Sequence, residues 1–250
     1  MSTILDSAVR AMQKQPEPAP PHRVVGVIGG MGPEATVDLM RRVIAKTPAD
    51  DDQDHIHLIV ESNPKISSRI AHLIERTGPD PTPELIQVAQ NLQRAGAHAL
   101  AMPCNTAHGY AEAIKRAVSI PLLDMISLTV QRIAAPGNVH SVGLLASTAV
   151  IDTKLFTGAF AAKGISIVLP PRQEQVMSLI KAVKRGDTGS KVQKQLGDLA
   201  SELARNSDIL LVACSELSVI ATGIKVPFVD SLDVLAQAVV DFATESTSPN

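Results

Sequence analysis

The 250 residues of this chain are enough to bury a substantial core, as one domain or as two small ones. Apolar side chains make up 45% of it but aromatics only 2%, with no Trp, so the core is aliphatic, which suits parallel strands covered by helices on both faces. A net charge of −2 without a Lys/Arg cluster supplies no field for nucleic acid and leaves small polar molecules as the expected ligands.

The first 22 residues lack the basic start, apolar centre and small-residue cleavage site of a secretory signal. Residues 3 to 13 read as a short helix. Pro16-Glu17-Pro18-Ala19-Pro20-Pro21 reads as a stiff, extended linker, so 1–22 is expected to be a flexible arm. No apolar run is long and uncharged enough to span a bilayer. The two cysteines sit in a chain that needs no staple and read as reduced, which points to the cytoplasm.

From residue 23 onward, short aliphatic runs alternate with amphipathic segments of helical length, the signature of a βαβ series and a mostly parallel sheet. Strands are expected at 24–29, 56–60, 97–102, 120–123, 139–145, 165–169, 208–213 and 227–229. Helices are expected over Glu34–Lys46, Pro83–Ala95, Gly109–Ala117, Ser127–Ala134, Ile151–Ala162, Gln173–Arg185, Lys191–Asn206 and Leu232–Glu245. The strands divide into two sets of four, giving an α/β chain with a first domain over 23–124 plus 230–250 and a second over 125–229. The final helix is expected to cross back onto the first half, and Thr244 to Asn250 to form a polar frayed tail.

The halves echo one another. Val25-Gly26-Val27-Ile28-Gly29 is matched by Val142-Gly143-Leu144-Leu145-Ala146. The runs ending in Cys104 and Cys214 follow in the same order, and Ile120-Pro121-Leu122-Leu123-Asp124 is matched by Val226-Pro227-Phe228-Val229-Asp230. Three landmarks recurring in one order at similar gaps indicate two copies of one unit. Ligands of such sheets collect beyond the carboxyl ends of the strands, where Cys104, Cys214, the Gly29–Pro33 turn, Asn63-Pro64 and Ser147-Thr148 all fall. A helix amino end after Cys104 would favour thiolate and lower the thiol pKa.

Other readings compete for the same residues. Gly30-Met31-Gly32-Pro33-Glu34-Ala35 fits the dinucleotide pattern G-x-G-x-x-A, with Glu61 ending the second strand, yet any tight turn or small-anion pocket needs the same glycines. Cys104 and His108 are spaced to share a helix face, but no further Cys or His pair supports a metal site. His108 is expected to tune its neighbour at a helix start or to face solvent. A lone buried cysteine is more often structural than reactive; a matched pair shifts that balance toward function.

The run from Val25 to Thr36, the run from Met102 to His108, and Ala213-Cys214-Ser215-Glu216 together resemble the aspartate/glutamate racemase family of cofactor-independent amino-acid racemases, over about residues 23 to 242. The resemblance implies two Rossmann-like domains related by pseudo-twofold symmetry and a homodimer. It also implies racemisation of aspartate, glutamate or a related amino acid without pyridoxal phosphate, with Cys104 and Cys214 as the catalytic residues. Asn63-Pro64-Lys65-Ile66-Ser67-Ser68-Arg69 is similar to the family segment Asn-Pro-Gln-Ile-Pro-x-Arg, which gives Arg69 a substrate carboxylate to hold. Lys65 and Ser67 depart from that pattern and leave side-chain specificity open. By the same resemblance Met31, Asn105, Thr106, Lys184, Ser215 and Glu216 are substrate-binding positions. Read without it, Arg69 and Lys184 are solvated helix charges. The alternatives are a single-thiol isomerase or decarboxylase of small dicarboxylic acids, a non-catalytic amino-acid-binding protein, and a nicotinamide oxidoreductase.

Overall fold

The computed structural model describes residues 23–245. The helix expected over 3–13, the proline-rich linker and the last five positions of the tail lie outside the described residues. The first half contributes strands β1 (Val25–Gly29), β2 (Leu58–Ser62), β3 (Ala99–Ala101) and β4 (Leu122–Leu123). The second contributes β5 (Ser141–Ala146), β6 (Ser166–Val168), β7 (Ile209–Ala213) and β8 (Phe228–Asp230). They form two four-stranded parallel sheets ordered β2-β1-β3-β4 and β6-β5-β7-β8.

The sequence echo is carried down to register. Gly26 pairs with Leu100, and Gly143 with Leu210; each cysteine follows its leucine by four residues. Leu100 pairs with Leu122 and Leu210 with Phe228, and the aspartate two residues later caps the next helix in both halves. Even a strand-edge contact repeats. His98 Nδ1 accepts the Val24 N–H at 2.9 Å, and Asp208 Oδ2 accepts that of Ser141 at 2.9 Å, at equivalent positions.

The duplicated glycines have a steric cause. A Cβ on Gly26 would lie 3.0 Å from the Cβ atoms of Ala97 and Leu92; on Gly143 it would lie 2.5 Å from Leu210 Cδ2 and 2.8 Å from Leu203 Cγ. In each half the helix before the third strand packs directly on the first strand, and only a bare Cα lets it approach. Gly26→Ala and Gly143→Ala are each expected to lower stability by about 1–3 kcal/mol through overpacking. The larger loss falls at Gly143, and chemical denaturation measures it.

Ten α-helices cover the sheets among the described residues: α1 (Pro33–Lys46), α2 (Thr82–Arg94), α3 (Ala111–Ala117), α4 (Met125–Ala134), α5 (Thr148–Asp152), α6 (Thr157–Ala161), α7 (Gln173–Lys184), α8 (Ser190–Leu203), α9 (Ser215–Val219) and α10 (Ser231–Thr244). Leu85, Leu92 and Ile114 of α2 and α3 pack on one face of the first sheet; Leu39 and Val43 of α1 pack on the other with Leu235 and Val239 of α10. The second sheet is sandwiched between α7, α8 and α9 on one side, and α4 and α6 on the other. The helix after β4 therefore covers the second sheet with Ile126, Val130 and Ile133, while the helix after β8 covers the first. This exchange ties the halves together and holds the carboxyl ends of both sheets at one cleft.

Two expected helices differ, and two further turns of helix are present that were not expected. The helix expected over Ile151–Ala162 is two short helices, α5 and α6, because Lys154 between them adopts a left-handed φ of 55°. The helix expected from Gly109 is a 3₁₀ turn, Thr106–Tyr110, leading into α3. A π-helical turn at Ala71–Glu75 and the short α9 lie where no helix was expected, since one or two turns show too little periodicity.

Candidate active site

Cys104 lies just beyond β3 and Cys214 immediately after β7, at the strand ends where bound molecules gather in parallel sheets. Each is buried, at 7% exposure. The chain turns helical after each cysteine, so amides of the following turn, Ala107 in one half and Leu217 and Glu216 in the other, draw the thiol pKa down. Both cysteines line one cavity of about 40 Å³. Wider hollows of about 450 and 520 Å³ lie elsewhere, but neither holds a thiol.

Arg69, Lys184, Glu216, Thr106 and Met31 share the cavity wall with the thiols. Arg69 Nη1 donates to the carbonyls of Ile66 and Ser67 at 3.3 and 3.1 Å, which aims the guanidinium inward, and its buried Nε has no partner among the described residues. A buried guanidinium N–H without a partner is a ready donor for a carboxylate. Glu216 stands between the second basic group and the second thiol. Its Oε1 is 3.6 Å from Lys184 Nζ, and Cys214 Sγ donates to its Oε2 at 3.1 Å. Thr106 Oγ1 meets Ser147 Oγ of the other half at 3.4 Å.

Two expected binding residues are not on the wall. Asn105 is buried and donates to Ser231 Oγ at 3.0 Å, and Ser231 in turn donates to the Val212 carbonyl at 3.0 Å. Ser215 is buried as the first residue of α9. Both lie in the turn that begins after each cysteine, and the buried Asn105 Oδ1 has no partner among the described residues. Ser68, Ile70, Ser147 and Ile180 do line the cavity. Only Ser147 was expected at this end of the sheets. Ile180 lies one helical turn before Lys184 on α7, a signal that spacing from Lys184 offered.

The thiols also differ from expectation in charge. Burial pushes the Cys104 pKa up, against the opposing pull of Arg69, the Ala107 amide and Lys184. Cys214 is pushed well above the usual thiol value, first by burial and then by the adjacent Glu216 carboxylate. The helix-end amides act in the expected direction, but desolvation outweighs them. His108 does not face solvent, and both its ring nitrogens bond to backbone groups. It is buried, with Nδ1 2.9 Å from the Cys104 carbonyl and Nε2 accepting the Met125 N–H at 3.1 Å. Those partners fix a neutral Nδ1–H tautomer, burial holds the pKa below the usual imidazole value, and neither nitrogen is free for a metal.

The glycine turn is closed on protein. Gly30, at φ 89°, lies against the Asn63 backbone, where a Cβ would come within 2.4 Å. Its N–H is taken by Thr36 Oγ1 at 2.9 Å. Glu61 accepts from Asn91 Nδ2 at 3.1 Å and serves to anchor α2. These contacts use the groups that a pyrophosphate and a ribose would need.

The architecture is that of two-domain α/β racemases, two Rossmann-like units each built on a four-stranded parallel sheet. The aspartate racemase of Picrophilus torridus superposes with a TM-score of 0.81 at 31% identity, covering 88% of this chain and 94% of that one. The chain belongs to the Asp/Glu/Hydantoin racemase family, whose sequence pattern matches residues 28–239, and it is accordingly an enzyme of the isomerase class. The broad specificity amino-acid racemase RacX of Bacillus subtilis (strain 168) is 27% identical over 227 residues, covering 87% of this chain and 96% of RacX. Glutamate racemase from Francisella tularensis subsp. tularensis SCHU S4 shares the fold, with a TM-score of 0.64 at 18% identity over 92% of this chain and 85% of that one. No helix among the described residues is long and apolar enough to cross a membrane.

Proposed function

We propose that this protein racemises a small amino acid without pyridoxal phosphate, with Cys104 and Cys214 as the opposed acid and base. The observation that carries the reading is that two cysteines at equivalent positions of a duplicated fold line a single cavity. Racemisation removes the Cα proton from one face and delivers a proton to the other, so the least apparatus is one acid/base group on each side. One sulfur is thiolate while the other is thiol, and they exchange states with each turnover. Their titration therefore belongs to the pair.

The starting state is asymmetric. Cys214 donates to Glu216 and rests as thiol, whereas Cys104 has Arg69 and Lys184 pulling toward thiolate. Arg69 is the α-carboxylate partner; Glu216 is placed to accept from the ammonium group. Without a cofactor as electron sink, charge developing at Cα is stabilised by Arg69, Lys184 and the amides beyond the strand ends. A volume of about 40 Å³ holds no more than about three waters, so the walls part for entry, and their return shields the carbanion from solvent. Aspartate and glutamate lead as substrates. The Picrophilus neighbour is an aspartate racemase and RacX is named for broad specificity, so the substrate panel should include neutral amino acids. A homodimer in the cytoplasm belongs to the same proposal and rests on family membership.

The direct experiment is incubation of single enantiomers in D2O without added cofactor, followed by NMR and chiral chromatography. Loss of optical purity with α-deuterium incorporation is expected. Because burial raises both thiol pKa values, the initial rate should climb as pH rises from neutral into the alkaline range. Absence of exchange across the amino-acid panel would remove the reading.

A further inference from the structure

The cysteines are matched by a second pair of residues, one helical turn after each. His108 is four residues beyond Cys104 and Ser218 four beyond Cys214, and both are buried. His108 donates from Nδ1 to the Cys104 carbonyl at 2.9 Å and accepts at 3.1 Å the N–H of Met125, the first residue of α4 just after β4. The Cys214 carbonyl receives the Ser218 N–H at 3.1 Å and lies 3.3 Å from its hydroxyl. The single hydroxyl hydrogen of Ser218 is directed at Asp230 Oδ1, 2.7 Å away at the end of β8. In each half the residue four beyond the cysteine thus links the cysteine's own carbonyl to the fourth strand, through the imidazole alone in the first half and through the Ser218 N–H and hydroxyl together in the second.

A histidine and a serine differ in shape and chemistry, yet the two residues link the same two points of each half. If the positions served packing alone, an apolar side chain would fill them without a polar group to satisfy. What the connection fixes is the backbone of the residue that carries the sulfur. A two-base reaction is sensitive to that placement, because each thiol must meet Cα from its own side, and an error of about 1 Å can cost on the order of 100-fold in rate.

We propose that His108 and Ser218 are matched positioning residues, each holding its own cysteine in line with the shared cavity through the cysteine carbonyl. The assignment rests on the two-cysteine reading above, and its test separates the two. With only two cysteines in the chain, iodoacetamide labelling followed by peptide mass spectrometry reads each sulfur on its own.

His108→Leu should change the labelling rate of Cys104 by about threefold or more and leave Cys214 within about twofold; Ser218→Ala should do the converse. In racemisation each variant should lose roughly 10- to 100-fold in kcat with KM held within about threefold. His108→Asn, which keeps a donor where Nδ1 stands, should recover more turnover than His108→Gln, which keeps only an acceptor where Nε2 stands. That comparison decides the matter if His108→Leu fails to fold. Labelling that shifts at both sulfurs together or at neither, a rise in KM with kcat preserved, or Gln rescuing as well as Asn would overturn the assignment. If the wild-type protein racemises nothing, the function proposed above fails while the labelling still decides the positioning role.

Discussion

Cys104→Ser and Cys214→Ser are each expected to lower racemisation by about 10²–10⁴-fold, the range for loss of a general acid or base. A serine hydroxyl occupies the same site but gives up its proton far less readily, so the altered face can neither accept nor return a proton at a useful rate. The variants should nonetheless differ from inactive protein in one respect. The remaining thiolate can still remove the Cα proton of the enantiomer that presents it, and solvent deuterium then returns from the same side. Each variant should therefore exchange the α-hydrogen of one enantiomer without inverting it, and the two variants should choose opposite enantiomers. NMR of separate L and D samples in D2O checks this. Exchange of both enantiomers by one variant, or wild-type turnover in either, would mean that the sulfurs are not the opposed pair.

That expectation rests on features legible in the amino-acid sequence. Strands buried on both faces read as unbroken aliphatic runs, and Leu144 and Leu145 illustrate why: consecutive residues of β5 enter cores on opposite sides of the sheet. The duplication was visible because Gly26 and Gly143, the cysteines, and the aspartates capping α4 and α10 are set by backbone geometry that both copies share. Less legible was anything decided by orientation across the cleft. Ile70 reaches the cavity from the segment before a π-helical turn, and Ile180 from α7 of the other half; neither position follows from a motif. Asn105 and Ser215, next to the cysteines in sequence, lie off the cavity wall in the turns that begin there. Adjacency to a cysteine in sequence says nothing of direction once the chain turns helical. The thiol pKa values rise where a helix end alone would lower them, because a local helix end is visible in sequence while desolvation belongs to the assembled fold.

The second large effect is expected at Arg42, far from any motif. It lies on α1 of the first half and donates to Asp230 Oδ2 at 2.8 Å, to Asp38 Oδ2 at 3.0 Å and to the Ser218 carbonyl at 3.3 Å. It thereby joins α1 to the segment that carries Ser218 and Cys214. Asp230 is almost sealed, its side chain 5% exposed. Arg42→Met keeps much of the stem but leaves that carboxylate buried without its cation, which should lower stability by about 3–5 kcal/mol at pH 7. The sign of the pH dependence follows from Asp230. Burial already raises its pKa above 3.8 while Arg42 opposes the rise, so removing Arg42 lifts it further. A carboxyl whose folded pKa exceeds its unfolded value binds its proton more tightly in the folded state. Its penalty is full above the folded pKa and disappears below the unfolded one. The stability gap between variant and wild type should therefore narrow as pH falls from 7 toward 4. Adding Asp230→Asn to Arg42→Met should recover part of the loss at pH 7 by removing the orphaned charge. Urea denaturation across that pH range measures both. A gap independent of pH, with no recovery in the double variant, would show that Arg42 acts through packing of its stem and not through the buried carboxylate.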